Sequence, residues 1–90
     1  MNKERTERIQ SLLEAALEPE SLAVEDDSHL HIGHEGAKGG LGHFSVSIVS
    51  EKFNGMNMVA RHRAVYAALD DMMRTDIHAL AIDAVASDEL

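Results

Sequence analysis

The feature that most constrains the fold is a repeated switch in apolar spacing, from one residue in every three or four to every second residue and back. Between Lys3 and Leu17 the residues Ile9, Leu12, Leu13, Ala16 and Leu17 fall at i, i+3, i+4, i+7 and i+8, which marks one face of an amphipathic helix. Pro19 ends it, because proline has no N–H to continue the ladder. Ser21 to Asp26 then alternates, with Leu22 and Val24 on one face, as a half-buried strand does. Five of the six glycines follow between His29 and Gly42, so that stretch is expected to be a loop.

Phe44, Val46 and Ile48 alternate with Ser45 and Ser47, which predicts a second strand pairing antiparallel with the first across the loop. After a turn at Gly55, Val65, Leu69 and Met72 recur at helical spacing with His62 on the same stripe. This predicts one long helix from Met58 to about Met73. Ile77 to Val85 is nearly continuously apolar, broken by His78 and Asp83, and suits a strand buried on at least one face. The order α, β, β, α, β predicts an α+β domain with helices on one face of a three-stranded sheet. Ninety residues support one core, so residues 1–90 form a single domain, with 86–90 expected to fray.

Charge removes several function classes. Sixteen acidic residues against eight basic ones leave a net charge of −8, a field that repels phosphate backbones. The chain has no cysteine, so it has no disulfide and no thiol nucleophile. With no apolar leader or spanning run near or after Met1, the expectation is a cytoplasmic protein that does not enter a membrane. No nucleophile elbow, phosphate loop or paired-carboxylate signature is present, so an enzyme is not expected.

Four motifs go further: Gly42-His43-Phe44, Val49-Ser50-x-x-Phe53-x-Gly55, Arg61-His62-Arg63 and Ile77-His78-Ala79-Leu80. On these, over nearly its whole length, the chain resembles the BolA family. The resemblance implies a KH-like class II fold. It also implies a non-enzymatic partner of monothiol glutaredoxins that co-ligates a bridged 2Fe-2S cluster, in cluster trafficking or iron and redox regulation. By motif, one ligand is His78 and the other His34, placed by its spacing from His43, with His31 and His43 as weaker candidates. The chemistry is consistent with that division: imidazole suits iron, while cluster irons usually take thiolates. A cysteine-free chain needs those thiolates from the glutaredoxin and from glutathione, and no cluster is expected in the isolated protein.

Plainer readings stand beside these. His78 on an apolar strand, facing the same way as Leu80 and Ile82, suits a hydrogen-bonded structural histidine. His29, His31 and His34 suit an adventitious metal cluster, and His62 a packed helix residue. Gly33-His34-Glu35-Gly36 has the form of a KH clamp but falls between strands rather than helices, so it reads as loop. The second functional reading is a DNA-binding transcriptional regulator of stress response, morphology and biofilm, as bacterial BolA-like proteins are often described. Its contacts would come from Lys52, Arg61 and Arg63, the main concentration of positive charge. The same arginines suit docking to glutaredoxin or glutathione carboxylates. Net charge and the scarcity of aromatics argue against DNA.

Overall fold

The computed structural model describes residues 2–27 and 42–90. Helix α1 (Asn2–Leu17) buries Ile9, Leu13 and Leu17, one residue per turn along a single stripe. The chain leaves it through Glu18, whose φ of 44° is the left-handed conformation that commonly closes a helix. The hydroxyl of Ser50, itself fully buried, donates to the Leu17 carbonyl at 2.6 Å. That bond satisfies one of the acceptors a helix end leaves open and ties α1 to the sheet.

The sheet has strand order β1-β2-β3. Strand β1 (Ser21–Asp26) runs antiparallel to the central β2 (Gly42–Ser50), with Ser21 opposite Val49 and Asp26 opposite Phe44. Strand β3 (Ile77–Ala86) runs parallel to β2, from Gly42 opposite Ile77 to Ser50 opposite Ala86. A parallel pair cannot be joined by a tight turn. The crossover is a 3₁₀ turn at Glu51–Phe53, helix α2 (Met58–Leu69) and the short α3 (Met72–Thr75). Asn57 caps α2 by accepting from the Ala60 N–H at 2.8 Å. The helices lie against one face of the sheet, where Phe44, Val46, Ile48 and Ala84 meet Ile9, Leu13, Phe53, Val65, Leu69 and Met72. The α+β architecture expected from the spacing is present.

Three local expectations are corrected. The second helical stretch is two helices, divided at Asp70, whose φ of 47° and ψ of −120° leave the helical region. Two acids ending a helix oppose its dipole, whereas the same acids beginning the next one favour it, so the break falls at Asp70-Asp71. The inward residue at the start of α2 is Arg61, in line with Val65 and Leu69, while His62 is only half-buried. Finally, the tail expected to fray makes contacts of its own: Ala86 ends β3, Ser87–Glu89 forms a 3₁₀ turn, and Asp88 N–H donates to Asn54 at 3.3 Å.

Candidate functional site

The groups the sequence singles out lie towards opposite ends of β3, in opposite chemical states. At the C-terminal end, Arg61 is 5% exposed and each nitrogen of its guanidinium donates a hydrogen bond. Nε donates to the Met56 carbonyl at 3.0 Å and Nη1 to the Ala84 carbonyl at 3.1 Å. Nη1 and Nη2 also fork onto the Glu89 carboxylate at 2.7 and 2.8 Å. The fork, with the Ala86 N–H also donating to Glu89, holds that carboxyl down to about 2; the same hydrogen bond raises Arg61. Arg61 is therefore an internal strut and not the surface contact expected of it. Lys52 is half exposed and pairs with Glu18 at 3.2 Å. Arg63 is exposed on α2.

At the other end, Gly42-His43-Phe44 opens β2 and Ile77-His78-Ala79-Leu80 opens β3 beside it. The register shifts there: Gly42 faces Ile77 but His43 faces Ala79, leaving His78 as the extra residue of a bulge, a device that re-aims a side chain at a strand end. The result is a histidine pair, with ring centroids of His43 and His78 5.0 Å apart and the planes tilted by 54°. His43 is 7% exposed, while His78 is exposed.

The backbone beneath the pair is held from both sides. Asp27 N–H donates to the His43 carbonyl at 2.7 Å, and Gly42 N–H to the Asp76 carbonyl at 2.9 Å. The Asp76 carboxylate accepts from Thr75 Oγ1 at 2.6 Å and from Arg5 Nε at 3.2 Å, with Arg8 at 3.7 Å. The Thr75 hydroxyl, helped by the two arginines, holds Asp76 below its usual range. Through this carboxylate α1 is fastened to the start of the strand carrying His78. Beside the histidines is a hollow of about 270 Å³ lined by Asp27, His43, Ser45, Ala79 and Ala81, in which the Ser45 hydroxyl donates to Asp27.

His34 and His31 lie outside the described residues, so the structure brings His78 together with His43, a candidate the sequence ranked lower. Asp27 and Asp76 were not singled out. Asp27 belongs to the run Glu25-Asp26-Asp27, which reads as solvated charge, and no spacing signal links Asp76 to Arg5, 71 residues away. The pair suits a metal: two imidazoles bound to one ion at about 2.0–2.1 Å place their ring centres about 5 Å apart. Two nitrogens leave the rest of the coordination shell to ligands from elsewhere. Among the described residues, no group of three or more His, Asp or Glu could hold an ion.

The model of the family described as BolA-like protein matches residues 13–89. The chain belongs to the BolA family. The BolA domain of SufE1 from Arabidopsis thaliana superimposes with a TM-score of 0.84 at 41% identity, covering 96% of this chain and 95% of that one. BolA1 from the same plant gives 0.81 at 44% identity, over 96% and 95%. The relative named Protein BOLA1, chloroplastic, of Arabidopsis is 47% identical over 81 residues, 87% of this chain and 51% of that protein. The DNA-binding transcriptional regulator BolA of Escherichia coli (strain K12) is 40% identical over 76 residues, 84% of this chain and 70% of that protein. The chain thus spans about half the length of the Arabidopsis BOLA1 protein, and 22% of the SufE-like protein 1 it also matches. These BolA relatives are named as regulators or by family. Organelle names occur among them, so family membership does not fix a compartment. No helix of the described residues is long and apolar enough to cross a membrane.

Proposed function

We propose that this BolA-family chain is a non-enzymatic partner of a monothiol glutaredoxin and co-ligates a 2Fe-2S cluster bridged between the two proteins. The observation that carries the reading is the His43–His78 pair, 5.0 Å between rings, with His78 exposed at a strand end. The cluster supplies iron centres whose thiolate ligands come from the glutaredoxin and glutathione, which a chain with no cysteine cannot provide. This chain's contribution is an imidazole presented to a partner. His78 stands in the open, His43 backs it from the neighbouring strand, and Asp27 and Asp76 hold the two backbones in place. His34 stays a proposed ligand by motif, and His43 is the second imidazole favoured by geometry.

The test is titration of this protein into cluster-loaded monothiol glutaredoxin, followed by visible absorption and circular dichroism, with His34→Ala, His43→Ala and His78→Ala in parallel. The reading expects a spectral change that His78→Ala abolishes and that one of the other two substitutions alters, naming the second ligand. A spectrum that does not change with the unsubstituted protein removes the reading.

DNA binding is the second reading, supported by the name of the Escherichia coli relative. Internal engagement of Arg61 removes one of its three proposed contacts, leaving Lys52 and Arg63 on a chain of net charge −8. Duplex DNA that bound with a steep salt dependence lost on Arg63→Ala would favour it.

A further inference from the structure

The two outer strands of the sheet are built differently. Strand β1 is six residues long and carries Glu25 and Asp26, with Glu20 and Asp27 at its ends; short length and charge are the usual protections of a strand edge. Strand β3 is ten residues long and has a single charged side chain, Asp83, with no proline, lysine or glycine. Its ladder with β2 occupies one side, and among the described residues no strand pairs with the other. Every second residue of such a strand turns an N–H and a C=O outward. Ala79 and Ala81 are exposed and too small to obstruct an approaching backbone.

We infer that the outer edge of β3 is a docking rail for an extended, basic segment of another protein, which adds as a fourth strand. The outward backbone groups select an extended chain, since only a strand matches their spacing. Charge selects its side chains: Asp83 is exposed midway along the rail and Asp88 just beyond its end. A second copy of this chain would bring its own Asp83 and a further net charge of −8, so electrostatics favours a lysine- or arginine-bearing partner over self-pairing. The inference does not rest on the cluster reading, although the rail begins beside His78, and a segment bound there would lie alongside the histidine pair. A single added strand buries a small interface, which suits reversible association.

The experiment uses the full chain, isotope-labelled, and a capped peptide of about ten residues alternating lysine with valine, long enough to span the strand. Backbone amide shifts and hydrogen exchange are the readouts. The expected result is slowed exchange at alternate residues of β3 and affinity about fivefold lower for Asp83→Lys. Replacing the peptide's lysines by glutamate, or N-methylating its edge-facing amides, should remove binding without altering the protein. Shifts confined to other elements, or an N-methylated peptide that binds equally well, would overturn the inference. So would concentration-dependent dimerisation of the free protein that itself protects the β3 amides, which would assign the edge to a second copy.

Discussion

The two ends of β3 hold polar groups of similar promise in opposite states. Towards its C-terminus Arg61 is surrounded by acceptors of its own chain, two carbonyls and both oxygens of Glu89. At its N-terminus His78 stands exposed beside His43. The contrast teaches that a charged residue in a motif is not thereby a contact. What decides is whether the fold has supplied it with partners, since a buried guanidinium must be hydrogen-bonded to be tolerated at all.

The largest effect that would break this contrast comes from Arg61→Ala. It strips donors from the Met56 and Ala84 carbonyls and from Glu89, and is expected to lower the denaturant midpoint more than any other change discussed here, while leaving the His43 and His78 ring signals in place. If it instead left stability unchanged and weakened partner binding, Arg61 would be a contact after all. Ser50→Ala leaves the Leu17 carbonyl without its buried donor and should cost about 1–3 kcal/mol by equilibrium unfolding. Asp70→Gly acts the other way: it relieves a backbone conformation at φ 47° that suits glycine, and should stabilise by about 1 kcal/mol.

Acid titration sharpens the comparison further. Glu89 titrates at about 2 in the folded chain against an ordinary 4.5. Its stabilisation is therefore complete above the ordinary value and is lost as the pH falls from 4.5 towards 2. Asp76, also lowered, acts with the same sign. Glu89→Gln should flatten part of that slope in a series of unfolding midpoints. The smallest stability effect is expected from His78→Ala, within about 0.5 kcal/mol for an exposed side chain, although the proposed function expects the same change to remove any spectral response with cluster-loaded glutaredoxin.

Much of the fold was legible from spacing: the extent of α1 to within a residue, both strands around the glycine-rich stretch, their antiparallel pairing and the last strand. Less of the second half was legible. The stripe Val65, Leu69, Met72 is the buried one, but continuing it backwards selects His62, whereas the helix buries Arg61. Spacing places residues on a face but does not say which charged residue the interior can satisfy. Arg61 is accommodated because Glu89, 28 residues further along the chain in a tail expected to fray, reaches it.

By itself, the sequence determined the element order and the α+β class, because period, proline and glycine act over a few residues and need no knowledge of the rest of the chain; membership of the BolA family rests on the motifs and on the family match over residues 13–89. Only the tertiary structure decided which side chains meet. The parallel register of β2 and β3, with its shift at Gly42 and His43, places two imidazoles side by side that are distant in sequence. The folding of the tail over α2 turns an arginine from a candidate contact into a strut. Both outcomes depend on long-range pairing, in which the partner of each group is chosen by the packing of the whole core rather than by its neighbours along the chain.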